Sequence, residues 1–345
     1  MYYSSMYNLS NKNKKILIIF LILFISISSL SLVKTDYYFM SPGPPYQWDI
    51  EYENIDKYEF EGNLFQLTVR RDEANALIYV WSLIIDSYDL YPREVILPDG
   101  VTPKELSEIS IQNMRTSENV AIAVALKNLG YEITSKGDGV SVVGLLDDSP
   151  VKEKLKKGDL LNSINNKEIR STTEFISTLR TYSIGETISI GLLRDIDGEL
   201  VQMYVETTLI EHVEYEGEPM VGFLATTVNE RFDFPFEIDI KTGNVGGPSA
   251  GLMMALNVYN NLIPEDITNS MVVAGTGTIE IDGSVGPVGG IKQKIIAAKS
   301  AGAELILVPL ANFEEAKQFE TDKTAIVAVD SFEQALSVIS QYSSR

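Results

Sequence analysis

The longest unbroken apolar pattern runs from Ile16 to Val33, eighteen consecutive uncharged and mostly apolar positions behind Lys12, Lys14 and Lys15. A helix needs about 20 such residues to cross a hydrocarbon core of ~30 Å, so this stretch predicts a transmembrane anchor over 16–33. Flanking lysines stay on the inner side, which makes 1–15 a cytoplasmic tail and places the C-terminal domains outside the cell membrane as a single-pass protein. A secretory signal peptide has the same charge and apolar run but ends in a small-residue cleavage site. Ser26-Ile27-Ser28-Ser29-Leu30-Ser31-Leu32 is a poor version of that site, so the anchor is read as uncleaved.

Beyond the anchor, Tyr37 to Trp48 is rich in aromatics and proline and suits a chain leaving the membrane interface. Leu64 to Val69 predicts a strand, Ala74 to Asp86 an apolar helix, and Glu105 to Met114 and Ser117 to Leu129 two further helices. Residues 34–117 are read as an N-terminal spacer without chemistry.

From 118 to 208 the pattern changes to strands around one amphipathic helix. Gly139 to Val143 and Leu160 to Ile164 read as strands, Asn165-Asn166 as a turn, and Thr172 to Thr181 as a helix capped by Ser171 or Thr172. Thr187 to Arg194 and Leu200 to Thr208 form a hairpin closed by Asp195 to Gly198. Such a unit leaves a sheet edge beside its helix, and an extended peptide can add there as another strand. The plainer alternative is a small structural α+β domain.

Residues 209–345 alternate strand and helix: a strand at 236–240, a helix from Pro248 to Tyr259, a hairpin at 280–288, a buried parallel-type strand at 305–309, then helices at 311–319 and 331–339 around a strand at 325–329. The fold class is α+β, a membrane anchor helix followed by two mixed domains.

Composition changes this picture mainly by exclusion. A net charge of −20 leaves no basic stripe for nucleic acid. With no cysteine and one histidine, disulfides, a thiol nucleophile and a metal centre are not expected, and neither is any cofactor. No Gly-x-x-x-x-Gly-Lys-Ser/Thr string occurs, so a phosphate-cradling nucleotide site is not encoded in that form. His212 lies in the charged stretch 211–218, far in sequence from any nucleophile, and is read as a surface residue.

The remaining chemistry lies in Asn244-Val245-Gly246-Gly247-Pro248-Ser249-Ala250-Gly251 and Gly289-Gly290-Ile291-Lys292-Gln293-Lys294. A helix starting at Pro248 puts Ser249 at its N-terminus, where free N–H groups and the dipole can hold an oxyanion. The plain alternative for Ser249 is an N-cap. A serine nucleophile needs a base, and with so little histidine a lysine is the candidate. Lys292 and Lys294 lie about 200° apart around a helix, so only one can reach Ser249. Lys294 shares its face with Ala298 and Ala301, whereas Lys292 shares one with Ile296 and Lys299. The first stripe suits a buried base, and Lys292 is read as a surface residue.

Gly-Pro-Ser-Ala-Gly opening an apolar helix, Gly275-Thr276-Gly277, and Gly-Gly-Ile-Lys-Gln-Lys running into Ala297-Ala298-Lys299 together resemble the proteolytic domain of Lon-family serine proteases. Asp148-Ser149-Pro150 and Leu155 to Leu161 resemble a bacterial-protease-type PDZ domain. The whole order is similar to the membrane-anchored, PDZ-containing Lon-like proteases of Gram-positive bacteria. The resemblance implies a Lon-type α/β proteolytic domain with Ser249 and Lys294 as catalytic pair and Thr276 orienting the lysine. It also implies a peptide or unfolded protein as substrate, and a homo-oligomer. It departs at Gly246, where many relatives carry an aspartate three residues before the serine. The expectation is an ATP-independent extracytoplasmic serine endopeptidase, and the rival is a catalytically silent, membrane-tethered peptide-binding scaffold.

Overall fold

A computed structural model describes residues 11–98, 100–212, 217–229, 231–243 and 245–343. Most of the expected cytoplasmic tail, part of the charged stretch after His212, and Asn244 of the serine motif therefore lie outside the described residues. From the N-terminus come helix α1 (Asn11–Leu32), strands β1 (Lys34–Pro42), β2 (Ile50–Tyr52), β3 (Asn63–Gln66) and β4 (Val69–Asn75), helix α2 (Ala76–Ser82), strand β5 (Asp89–Pro92) and helix α3 (Pro103–Asn128). Next are β6 (Val140–Leu145), β7 (Leu160–Ile164), α4 (Thr172–Leu179), β8 (Thr187–Ile196), β9 (Glu199–Thr208), β10 (Phe223–Thr227) and β11 (Ile238–Ile240). The last third holds α5 (Gly251–Leu262), β12 (Val272–Gly275), β13 (Thr278–Ile279), β14 (Val285–Gly286), α6 (Ile291–Ser300), β15 (Leu305–Pro309), β16 (Ala325–Val329) and α7 (Phe332–Ser343).

These elements form two compact units, one of residues 1–41 and 70–93, the other of 42–69 and 94–345. In the first, β4, β1 and β5 make a three-stranded sheet that follows α1, with β1 and β5 antiparallel. Within α1 the window Lys15–Leu32 has a mean hydropathy of 2.5 and none of it is buried, as a span facing lipid requires.

The second unit holds a four-stranded sheet in the order β16-β15-β12-β3, with every neighbouring pair parallel. Its side chains divide with the period of two that a strand imposes. Leu64, Val273, Leu305, Leu307 and Val329 pack with α3, α5 and α7, while Ala274, Ile306, Val308 and Ile326 pack with Ile291, Ile295 and Ala298 of α6. Burial on both faces is why Leu305 to Pro309 reads as a continuous apolar run.

The spacer expected over 34–117 is not a separate body. Residues 42–69 supply β3 to this sheet, and α3 packs along α5. The two helices expected at 105–114 and 117–129 are one helix of 26 residues, started by Pro103 and a Thr102/Glu105 capping box. Thr116 and Ser117, where the two expected helices adjoin, are buried within it.

Between α3 and β11 the chain makes a separate sheet in the order β9-β8-β7-β6-β10, with α4 alongside. Val140, Val142, Leu161, Ile164, Ile190 and Leu192 form its own core with Phe175 and Leu179 of α4. Its Lys157-Gly158-Asp159 turn has a physical basis. Gly158 takes φ +92, and buried Asp159 accepts from the Lys156 N–H and from Arg194 Nε and Nη2 at 2.7 and 2.6 Å.

Candidate active site

The parallel sheet sets the geometry. α5, carrying the serine turn, packs on one face and α6, carrying the lysines, on the other, and Thr276, just beyond the carboxyl end of β12, joins the serine turn to the lysine helix. In open parallel sheets that end is where ligands are bound.

Pro248 to Ala250 form a single 3-10 turn that runs straight into α5. Gly247 enters it at φ +89, a conformation open to glycine, and neither the turn nor α5 has a side-chain cap at its start. Helix α3 braces this turn, because the Gly247 N–H donates to the Ser110 carbonyl (2.8 Å) and the Ser117 hydroxyl donates to the Pro248 carbonyl (3.0 Å). Gly251 is needed for a steric reason. A Cβ there would lie 2.6 Å from Ile279 Cγ2 and 2.8 Å from Ser117 Oγ. Gly251→Ala is therefore expected to destabilise the protein by about 1–3 kcal/mol despite alanine's better helix propensity, seen as a lower unfolding midpoint.

Ser249 is half-buried, and its carbonyl accepts from three donors: Thr276 Oγ1 at 3.0 Å, the Gly277 N–H at 3.0 Å and Gln66 Nε2 at 3.1 Å. Lys294 is 2% exposed, and its Nζ donates to the same Thr276 Oγ1 at 2.8 Å. Thr276, itself fully buried, thus joins the lysine amine to the serine residue from opposite faces of the sheet. Lys292 is only half-buried. The Gly-Gly pair before the lysines has a function in the fold, since Gly290 opens α6 in the left-handed region at φ +68. His212 stands outside this arrangement, with its backbone N–H on the Glu218 carbonyl.

Gln66 was not foreseen from the sequence. It ends β3, 183 residues before Ser249, and only strand pairing brings it to the site. A second unforeseen feature is Arg180, which follows α4 and reaches the β13–β14 hairpin between Thr276 and α6. Its guanidinium contacts Glu218 at 3.0 Å and Glu280 at 3.3 Å. It also lies where a Cβ on Gly286 would meet Nη1 at 2.2 Å. Burial pushes the Glu280 carboxyl up to about 8, outweighing the lowering by Arg180 and aided by Asp282. On α3, burial with repulsion from Asp239 raises Glu118 to about 7 against the Ile240 N–H and Arg115. No group of three or more metal-ligating side chains occurs among the described residues.

Comparison with known proteins agrees with this geometry. Residues 232–341 match the Lon protease (S16) C-terminal proteolytic domain, and residues 127–207 match the PDZ domain. The chain therefore carries a Lon-type proteolytic domain and a PDZ domain. Among its relatives, Lon protease 2 of Bacillus subtilis is 34% identical over 123 residues, which is 35% of this chain and 22% of that protein. The Lon protease of Aquifex aeolicus is 29% identical over 177 residues, 50% of this chain and 21% of that one. The chain thus spans about a fifth of the length of these relatives. The PDZ domain of an SdrC-like protein from Listeria monocytogenes aligns over 26% of this chain and 87% of its own, at 27% identity and a TM-score of 0.22.

Two outcomes go beyond the matched segments. β3 and α3 lie upstream of the proteolytic match yet build its sheet and brace its serine turn. β10 lies downstream of the PDZ match yet forms the edge of the PDZ sheet, antiparallel to β6.

Proposed function

We propose that the chain is an ATP-independent extracytoplasmic serine endopeptidase in which Ser249 is the nucleophile, Lys294 the general base and Thr276 the residue that orients the lysine. The observation that carries this reading is the hydrogen-bonded series Lys294 Nζ, Thr276 Oγ1, Ser249 carbonyl, with the amine almost wholly withdrawn from solvent. Burial disfavours the charged form of an amine, and a neutral amine is what a general base must be.

In the proposed reaction Lys294 takes the proton from Ser249 Oγ as that oxygen attacks the peptide carbonyl. The N–H groups that follow Pro248 in the serine turn hold the developing oxyanion. Lys294 then returns the proton to the departing amine, leaving an ester on Ser249. Water, deprotonated by the same amine, releases the acid and restores the hydroxyl. With Gly246 at the third position before the serine, no carboxylate there takes part.

Peptide capture is assigned to the PDZ domain. β10 is the terminal strand of its sheet and lies beside α4, with Phe223 and Phe175 edge to face at 5.4 Å and Thr227 Oγ1 accepting from the Thr172 N–H at 3.0 Å. An extended peptide adding to that edge would gain main-chain hydrogen bonds whatever its sequence. Anchoring is assigned to α1, whose apolar window and preceding lysines fit a single span with the proteolytic domain outside. Substrates are then secreted or membrane-associated peptides and loosely folded proteins, because the chain carries no phosphate-cradling motif for a nucleotide-driven unfolding motor.

The deciding assay is casein or peptide cleavage by the full chain in detergent without ATP, against Ser249→Ala. Cleavage is expected from the native chain alone. Equal turnover by both forms would overturn the assignment of Ser249.

A further inference from the structure

Ala76 to Ile85 is a run of ten uncharged residues, Ala-Leu-Ile-Tyr-Val-Trp-Ser-Leu-Ile-Ile, in a chain that is 22% charged. Helix α2 makes up most of it and is properly started, with Asn75 Oδ1 accepting the Ile78 N–H at 2.9 Å. An apolar helix in a water-facing domain turns a stripe of side chains into a core. α2 has no buried residue at all, and beyond Trp81 the chain leaves Leu83 72% and Ile84 76% exposed. A contiguous apolar surface of this kind marks a contact with something other than water.

Its tether indicates what that is. The Ala76 N–H donates to the Val33 carbonyl at 2.8 Å, and Thr35 Oγ1 donates to the Ala74 carbonyl. Val33 directly follows the last residue of α1, so the start of α2 is fastened to the point where the apolar span ends. The rings of Tyr37 and Tyr79, edge to face at 5.2 Å, hold the helix to β1 as well. Tryptophan and tyrosine favour the headgroup level of a bilayer, and leucine and isoleucine the acyl boundary beneath it. We infer that α2 and Leu83 to Ile85 are a second membrane contact, lying in the interface of the phospholipid bilayer where α1 emerges, with lipid as the occupant. This rests on α1 being a membrane span, and it makes the first compact unit a collar fixed to the bilayer at two places.

The chain has two tryptophans, and Trp48 is 6% exposed against 50% for Trp81, so Trp48→Phe leaves Trp81 as the sole reporter. The full chain is reconstituted into phosphatidylcholine–phosphatidylglycerol vesicles with lipids brominated on their acyl chains. Trp81 emission is expected to be blue-shifted and quenched at least twofold by the brominated lipid. Because there is no native cysteine, Leu83→Cys carrying a polarity-sensitive dye gives a second reading that leaves the Trp48 core intact, with blue-shifted emission expected. Carbonate extraction reads α1 alone. Release of the chain would overturn the span and this contact with it. Retention with Trp81 open to aqueous acrylamide and untouched by bromine would overturn the α2 contact alone. Shielding from both quenchers would overturn it too, since a second copy would then cover the patch.

Discussion

Lys294→Met is expected to lower kcat/KM for an unstructured peptide by about a thousandfold or more while leaving the protein folded. General-base catalysis contributes on the order of 10²–10⁴, and methionine fills the volume of a 2%-exposed lysine without supplying an amine. Ser249→Ala should cost about as much, and the double variant scarcely more than either alone, because a nucleophile and its base act as one unit. Additive losses, or a Lys294→Met enzyme that still labels with a serine-reactive probe, would remove Lys294 from the mechanism. Thr276→Val gives a finer reading. Its hydroxyl accepts from the lysine and donates to the Ser249 carbonyl, so valine deletes both bonds. Loss of the acceptor favours the neutral amine, and the acid limb of the pH–rate profile should move to lower pH as the maximal rate falls about ten- to a hundredfold.

The second large effect concerns stability against pH. Glu280, raised to about 8, and Glu118, raised to about 7, hold protons in the folded protein that the unfolded chain has already lost. The stability associated with their neutral forms is fully present below the ordinary carboxylate pKa of about 4.5 and is lost as pH rises to about 8. Each tenfold difference in proton affinity between the folded and unfolded chain corresponds to about 1.4 kcal/mol, so the fall across this window is on the order of a few kcal/mol and several degrees in the unfolding midpoint. Glu280→Gln keeps the shape of the buried carboxyl and removes its titration. It should flatten the upper part of the curve and be the more stable protein at pH 8–9. A wild-type midpoint that rises from pH 5 to 8 would contradict the protonated assignment. The site is also where α4 of the PDZ domain, through Arg180, touches the hairpin leading to the lysine helix, so the same scan followed by activity reads whether that contact matters to turnover.

Much of the local geometry of the candidate site was legible because it depends on short-range pattern. The choice of Lys294 over Lys292 follows from which stripe of α6 is apolar; the structure buries Lys294 and Ala298 and leaves Ala301, at the end of the helix, half-buried. Gly247 and Gly290 occupy positions whose demand is local, a positive φ, whereas Gly251 is required by the distant neighbours Ile279 and Ser117. What the sequence concealed depends on long-range pairing. Nothing near Gln66 indicates a serine far along the chain, and the parallel pairing of β3 with β12 that joins them has no local signature. Ser110 and Ser117 were read only as helix positions, and nothing local shows that α3 uses them to hold the serine turn. Helix α2 is shorter than its apolar run, since the run continues into an exposed segment whose apolarity a packed core does not explain.

Because the PDZ sheet lies between α3 and β11, the proteolytic layer is assembled from pieces separated by about a hundred residues of another domain. During synthesis the PDZ domain can fold on its own contacts as it emerges, but β3 and α3 must wait for β12, α5 and α6 before they have anything to pair with. The serine turn is therefore left without its brace and its sheet until nearly all of these pieces have been made, a delay that comes from chain connectivity alone.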